Sequence, residues 1–236
     1  MKEIHAMLSE RIKRTLTIKS FRFKSDQRVE FLPGQFLQLI LDQENRNNSE
    51  LNKYLSFSSA PEKDYFEVTK RISDSKFSQT LNKLKIGDSV LIKAPMGSCV
   101  FKDEYPKIGF LIGGIGITPV ISILEYIMSK KLDTDVCLLY SNRTEDDTAF
   151  KAQIDSWSQE NPKIKLAYTF TDCVPKGNKC FSGKINQQFI RDSVSDFKQR
   201  IFFIFGSPKM VAAMKNICLE IGCNEDMVRV ENFIGY

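Results

Sequence analysis

The pattern of apolar residues changes near residue 103, and this change constrains the fold more than any other feature of the sequence. Before it, turns rich in Gly, Pro, Asn and Asp separate short apolar or alternating segments at 12–24, 36–41, 65–72 and 88–93. Short strands with such turns, interrupted here by one short helix near 78–84, are typical of an antiparallel sandwich or barrel. Residues 1–102 are therefore predicted to form an antiparallel β-barrel domain.

After residue 103, continuous apolar strands alternate with amphipathic helices. The strands are predicted at 108–112, 136–140, 164–170 and 201–205, with helices at 120–128, 148–158 and 210–221. Continuous apolar strands in alternation with helices indicate a parallel sheet covered on both faces. Residues 103–236 are therefore predicted to form an α/β domain.

Composition narrows the classes of function. The six cysteines form no C-x-x-C pair and there is one histidine, so no zinc or iron–sulfur site is expected and the thiols should be reduced. No apolar run approaches the roughly 20 residues that cross a bilayer, and the first 14 residues lack the apolar stretch of a secretory signal. A cytoplasmic location is expected. The net charge of +5 suits an acidic partner protein. The sequence has no long run of basic residues, which argues against binding to nucleic acid or to a membrane.

The segment Gly113-Gly114-Ile115-Gly116-Ile117-Thr118-Pro119 is the sharpest local motif. It lies between a predicted strand and a predicted helix, at the edge of an α/β sheet where ligands bind. Glycines let a backbone approach a pyrophosphate closely, and the first turn of a helix offers free N–H groups to an anion. The spacing differs from G-x-G-x-x-G, and a tight structural turn is an equally good interpretation of the motif alone.

The motif resembles the GGxGxTP nucleotide motif of the ferredoxin–NADP reductase family, and further segments extend the likeness. These are Pro33–Phe36 (PGQF), Lys53–Pro61 (the RxYS segment and the small residues after it), Gly87-Asp88, Ala94–Ser98, Phe205–Pro208 (CGxP) and Glu231–Tyr236. Their order and spacing over residues 12–236 identify the chain as a member of that family. The resemblance implies a FAD-binding barrel followed by an NAD(P)-binding domain.

The resemblance also assigns residues to the FAD site. Lys53 takes the place of the arginine that meets the pyrophosphate, Leu55 that of the aromatic that stacks on the flavin ring, and Ser56 that of the hydroxyl near flavin N5. Lysine lacks the fork of arginine, and leucine cannot stack as an aromatic does. Tyr54 is adjacent, but alternation along a strand points it away from the face of Leu55. Further FAD contacts are implied at Thr69 and Lys70 and at the start of the short helix, where Ser78 is the expected cap and Gln79 and Thr80 supply N–H groups.

Dinucleotide contacts are implied in the second domain and at the carboxyl terminus. They fall on Gly113, Gly114, Gly116, Thr118, Pro119, Ser141, Arg143, Gly206 and Pro208, with Phe233 and Tyr236 as candidates to lie on the flavin. Arg143 suits a 2′-phosphate, whereas the nearby Asp146 and Asp147 suit a free ribose. The choice between NADH and NADPH therefore stays open, with a slight preference for NADH.

The implied reaction passes a hydride from NADH or NADPH to FAD in a cleft between the domains, and electrons then leave singly. Ser56, Thr118, Phe205 and Glu231 are the residues implied to lie at the reacting atoms, with Phe205 replacing the family's cysteine. The chain lacks the plant-type C-x4-C-x2-C run of a fused ferredoxin. The acceptor is therefore expected to be a separate protein such as a ferredoxin, a flavodoxin or an oxygenase component.

Two other functions are compatible with the same residues. The replacements at Lys53 and Leu55 would suit an NAD(P)H:flavin reductase that uses free flavin as a substrate. The replacements at Leu55 and Phe205 would suit a binding module that keeps the scaffold without turnover.

Overall fold

A computed structural model describes residues 1–172 and 180–233. It divides into two compact units, the first made of Met1–Phe101 and Thr118–Ser129, the second of Lys102–Ile117 and the described residues from Lys130 onward. The helix that follows the glycine motif, which the apolar pattern places in the second domain, is thus grouped with the first unit.

The first unit is built on six antiparallel strands. They are β1 (Lys2–Lys13), β2 (Ile18–Lys24), β3 (Phe36–Ile40), β4 (Asn52–Ser56), β5 (Phe66–Arg71) and β6 (Ser89–Met96), in the spatial order β4-β3-β6-β1-β2-β5. A bridge between Phe57 and Val68 joins the two ends of the sheet, which confirms the predicted barrel. Helix α1 (Lys76–Lys83) and most of helix α2 (Ile117–Lys130) complete the unit.

The barrel core follows from alternation along the strands. Phe21, Phe23, Leu37, Leu39 and Val68 are fully buried and belong to one cluster, and the residues next to them in each strand point to the opposite face of the sheet, where Ser20, Glu67 and Thr69 are buried as well. The sequence predicted a single strand over 12–24, and this is wrong. A turn lies there, in which the Arg14 N–H donates to the Ile18 carbonyl (2.9 Å) and the Ile18 N–H to Thr15 Oγ1 (3.1 Å).

The second unit contains a six-stranded parallel sheet. Its strands are β7 (Lys107–Gly113), β8 (Asp135–Asn142), β9 (Ile164–Phe170), β10 (Cys180–Ser182), β11 (Ile201–Gly206) and β12 (Val228–Asn232), ordered β10-β9-β8-β7-β11-β12. The helices are α3 (Lys151–Glu160), α4 (Gln187–Ser193) and α5 (Pro208–Glu220), with 3-10 turns at Gly114–Gly116, Phe197–Gln199 and Glu225–Met227. The predicted parallel α/β arrangement is confirmed. Among the described residues, no helix has both the length and the apolar character needed to cross a membrane.

Candidate functional site

The glycine motif occupies the carboxyl end of strand β7. Gly113 ends the strand, Gly114–Gly116 form a 3-10 turn, and α2 begins at Ile117. A Cβ atom on Gly116 would lie 2.2 Å from the carbonyl oxygen of Phe205, so only glycine allows this approach. The Tyr140 hydroxyl donates to the Gly114 carbonyl at 3.0 Å and holds the turn from the neighbouring strand.

The segment after β11 closes on the glycine motif from the other side. Gly206 has a φ of +153°, and its carbonyl accepts a 2.7 Å hydrogen bond from the Phe233 N–H. Ser207 precedes Pro208, which begins α5. The structure therefore brings together two predicted dinucleotide segments, 113–116 and 205–208, at the carboxyl ends of the adjacent parallel strands β7 and β11. Ligands of open α/β sheets bind at this edge.

The ring of Phe205 does not reach this edge. The side chain is fully buried and stacks on Phe203, with ring centroids 6.0 Å apart. The backbone carbonyl of Phe205, rather than its ring, approaches the glycine motif. A role for Phe205 at the nicotinamide stays a prediction.

Arg143 is held by Asp172, an acid that lies outside the motifs of the sequence. Its Nε lies 2.7 Å from Asp172 Oδ2, and the Asp172 N–H donates to the Arg143 carbonyl at 2.9 Å. The hydrogen bond to Asp172 raises the pKa of Arg143, and the same bond lowers the pKa of Asp172. Asp172 lies just beyond β9, beside the end of β8, and the carboxyl ends of parallel strands share one edge. The position of Asp172 directly after a predicted strand could therefore have indicated that it lies near Arg143.

Glu231 is a buried acid at this edge whose pKa is raised well above its ordinary value. It pairs with Phe205 across β11 and β12, and burial raises the pKa of its carboxyl to about 7. Its Oε2 is buried and has no hydrogen-bond partner within the described part of the chain. A carboxyl of this kind is protonated or charged within the physiological range and is suited to contact a polar ligand.

A cationic cluster lies on the barrel where the FAD pyrophosphate is predicted. Lys70 is 9% exposed; burial lowers its pKa most, and the charges of Lys53 and Arg71 lower it further. Cations that depress one another in this way are stabilised by a polyanion. The donor set therefore fits a diphosphate.

Helix α1 begins at Lys76, two residues earlier than predicted, and its cap lies three residues earlier than expected. Ser75 is its N-cap, with the side chain accepting from the Ser78 N–H at 3.3 Å, while the Gln79 N–H donates to the Ser75 carbonyl at 3.0 Å. The expectation that Ser78 caps the helix is wrong, and Ser78 is fully buried inside the first turn. Because the first N–H groups of a helix have no partner in the helix, those of Lys76 and Phe77 are better placed to receive a ligand than the Gln79 N–H, which is bonded to Ser75. FAD contacts at Gln79 and Thr80 stay a prediction.

The segment that resembles RxYS has an unexpected distribution of side chains. Leu55 is 3% exposed and belongs to the barrel core, whereas Tyr54 is 53% exposed. The Tyr54 ring meets Phe36 edge to face, with centroids 5.9 Å apart. Ser56 pairs with Phe36 across β3 and β4 and lies on the same outer face as Tyr54. Tyr54 is therefore the aromatic ring beside Ser56 on that face.

A buried polar network surrounds Thr69. Its hydroxyl lies 2.6 Å from Ser20 Oγ and 2.8 Å from Ser58 Oγ. Next to it, the Glu67 carboxylate binds Arg14 Nη2 (3.0 Å) and Arg22 Nε (2.9 Å). The Thr69 hydroxyl is thus engaged within the barrel. Among the remaining predicted contacts, Thr118 and Pro119 lie in the first turn of α2, and Ser141 lies near the carboxyl end of β8. Tyr236 lies outside the described residues.

Comparison with known proteins assigns both halves of the chain. An oxidoreductase FAD-binding domain model matches residues 5–101, and an oxidoreductase NAD-binding domain model matches residues 110–216. NADH-cytochrome b5 reductase 1 of Dictyostelium discoideum is 30% identical over 179 residues, covering 74% of this chain and 62% of the relative.

Solved structures share the fold. The cytochrome b5 reductase domain of Ulva prolifera nitrate reductase has a TM-score of 0.83 at 24% identity, covering 98% of this chain and 97% of that structure. A ferredoxin NADP+ reductase from Neisseria gonorrhoeae, with bound FAD and NADP, has a TM-score of 0.83 at 20% identity and covers 99% of this chain and 100% of that structure. The chain spans 62%, 25% and 58% of the lengths of three curated relatives, the Dictyostelium reductase, a tobacco nitrate reductase and a Bacillus subtilis flavohemoprotein.

Proposed function

Because the chain belongs to the ferredoxin–NADP reductase family of oxidoreductases, which join an FAD-binding to an NAD-binding domain, we propose that it oxidises NADH through FAD and delivers single electrons to a separate acceptor. The observation that carries the proposal is the close approach of Gly116 to the Phe205 carbonyl. A Cβ atom on Gly116 would lie only 2.2 Å from that carbonyl oxygen. This close packing shapes a glycine-lined edge that a dinucleotide pyrophosphate can approach.

FAD would be held by the first unit. Lys53, Lys70 and Arg71 supply positive charge to its diphosphate, and the N–H groups that begin α1 supply hydrogen bonds. Tyr54 and Ser56 lie on one outer face of β4, where an aromatic ring and a hydroxyl would contact the flavin. When bound, FAD accepts a hydride and releases electrons one at a time.

NADH is the dinucleotide that the second unit would select. The 2.7 Å ion pair with Asp172 neutralises Arg143, the cation that would otherwise attract a 2′-phosphate. The carboxylate of Asp172 would repel that phosphate and accept a hydrogen bond from a ribose hydroxyl instead. Gly113, Gly114, Gly206 and Pro208 would approach the pyrophosphate, with Ser141 beside the adenosine ribose and Thr118 and Glu231 nearer the nicotinamide.

The acceptor would be a separate one-electron carrier or oxygenase component. The net charge of +5 favours encounter with an acidic protein. The names of the relatives, which include a cytochrome b5 reductase and a ferredoxin reductase of a carbazole dioxygenase, are those of proteins that serve different acceptors. The partner of this chain therefore has to be identified by assay.

One observation favours a second function, reduction of free flavin. Leu55 lies in the barrel core, so the position that holds a stacking aromatic in the family offers no ring to retain FAD. The purified protein distinguishes the two. Stoichiometric FAD that remains after gel filtration, together with NADH-dependent reduction of ferricyanide, supports the first function. Colourless protein that turns over added FMN or FAD supports the second.

A further inference from the structure

The strand end that carries Ser56 is anchored by a residue far away in the sequence. The Phe57 N–H donates to the Gln35 carbonyl (3.1 Å) and the Ser58 N–H to the Glu67 carbonyl (2.7 Å), as expected for a sheet. The Ala60 N–H instead donates to Glu125 Oε2 at 2.7 Å, across 65 residues of sequence. Ala60 is fully buried, so this carboxylate satisfies a donor that water does not reach.

The second oxygen of Glu125 secures the turn that follows. Glu125 Oε1 lies 3.2 Å from Lys63 Nζ, and the Lys63 N–H closes the turn on the Ala60 carbonyl at 3.4 Å. The Glu125 side chain is 17% exposed. Both carboxylate oxygens are therefore used to hold residues 60–63.

The same segment is held on its other side by Glu67. Ser59 Oγ accepts from the Glu67 N–H at 3.0 Å, and Ser58 Oγ donates to the Glu67 carboxylate at 3.2 Å. Ser58 and Ser59 are 3% and 1% exposed. Residues 57–60 thus have little freedom to move while both carboxylates are in place.

Glu125 also lies on the helix that leaves the glycine motif. Helix α2 starts at Ile117, directly after Gly116, and about 12 Å of helix separates that start from Glu125. The bond to Ala60 therefore ties helix α2 to the segment that follows Ser56, within the first unit.

We infer that Glu125 is a positioning residue, which holds Ser56 and its strand in the place needed for hydride transfer through its hydrogen bond to the Ala60 N–H. This inference rests on the proposed function. Glu125 contacts neither reacting atom and acts through the backbone of residues 57–60. Its loss would therefore affect the rate of flavin reduction more than the binding of NADH.

Four variants separate this role from general stability. Glu125→Ala removes both contacts, and Glu125→Asp withdraws the carboxylate by one methylene. Glu125→Gln keeps an acceptor for the Ala60 N–H, and Lys63→Met removes only the ion pair. Glu225→Gln is the matched control, since Glu225 pairs with Lys215 at 2.7 Å on the other unit. The three readouts are hydrogen exchange of peptides spanning 57–63 in FAD-free protein, visible circular dichroism of bound FAD, and stopped-flow reduction by NADH.

We expect Glu125→Ala to speed exchange of the Ala60 amide and to slow the limiting reduction rate by about tenfold or more, since small misplacements of reacting groups have such effects. The NADH concentration that gives half-saturation should stay within about twofold of the parent value, because the substitution slows a step that follows NADH binding. Glu125→Asp should likewise speed exchange of the Ala60 amide and slow flavin reduction. It provides the test if Glu125→Ala does not fold. Glu125→Gln, Lys63→Met and Glu225→Gln should resemble the parent protein.

Unchanged exchange at residues 57–63, or an unchanged limiting rate, in both Glu125→Ala and Glu125→Asp would overturn the inference. A parent protein whose flavin NADH does not bleach would instead refute the proposed function. Exchange and circular dichroism would still decide the role of Glu125 in that case.

Discussion

Arg143 Nε lies 2.7 Å from Asp172 Oδ2, so the cation at the end of β8 is neutralised by an acid at the end of β9. Both side chains lie at the carboxyl edge of the parallel sheet, beside the glycine motif. We expect this pair to govern whether the edge accepts a 2′-phosphate.

Asp172→Asn should shift dinucleotide preference toward NADPH. The substitution frees the Arg143 guanidinium and removes a negative charge, so the ratio of kcat/KM for NADPH to that for NADH should rise about tenfold or more, equivalent to ~1.4 kcal/mol. Steady-state kinetics with both dinucleotides measures this ratio. Asp133→Asn, which alters an exposed acid paired with Lys163, is the control and should leave the ratio unchanged. An unchanged ratio in Asp172→Asn would exclude Asp172 as the selecting group.

Gly116→Ala should weaken NADH binding. An added Cβ would lie 2.2 Å from the Phe205 carbonyl oxygen, so the turn or the segment after β11 must move. We expect half-saturation by NADH to rise about tenfold or more, because backbone contacts to a pyrophosphate need close approach. Gly87→Ala is the control, since Gly87 has a φ of +94° with open space around it. It should cost about 1 kcal/mol of stability and leave NADH binding intact.

Stability should depend on pH through Glu231. Its carboxyl has a pKa of about 7 in the folded protein against an ordinary 4.5, so between these values the folded protein holds a proton that the unfolded chain releases. Stability therefore falls as pH rises through this window and carries no penalty below it. Glu231→Gln should raise the free energy of unfolding by about 1–2 kcal/mol at pH 8, a value reduced for partial exposure, and should change it little at pH 4. Urea unfolding at both pH values measures the difference, and an equal effect at both would contradict the assignment.

Glu67→Gln should destabilise the barrel strongly. Glu67 is 2% exposed and binds both Arg14 and Arg22, so its neutralisation removes the buried counter-charge that the two guanidinium groups share, and the pair of Arg22 with Glu10 is more exposed. We expect a loss of about 3 kcal/mol in the free energy of unfolding. Glu225→Gln, at a surface pair, should change stability by less than about 1 kcal/mol. Similar losses in the two variants would show that the network contributes little.

The elements that the sequence predicted well are those whose apolar pattern is continuous. Strand β9 spans 164–170 as predicted, because a strand buried on both faces reads as an unbroken apolar run. Strand β1 was missed although Ile4, Ala6 and Leu8 alternate with exposed residues, a weaker signal than a run. The short strand β10 pairs only at 180–182, and its place depends on β9 rather than on its own sequence.

The candidate site was predictable where a motif fixes the backbone, and not where distant residues meet. The glycine motif and the segment at 205–208 lie at one sheet edge as expected from strand order. The cap of α1 was misplaced because Ser75 and Ser78 are equally good capping residues by type. The contacts of Glu125 with Ala60 and of Glu67 with Arg14 join residues 65 and 53 positions apart, and local patterns carry no information about such pairs.

Anaerobic titration of the purified, FAD-loaded protein with NADH, followed at the flavin absorbance, tests the central claim most directly. We predict that one equivalent of NADH bleaches the flavin and that NADPH does so far more slowly. Bound FAD whose absorbance neither dinucleotide changes would contradict it.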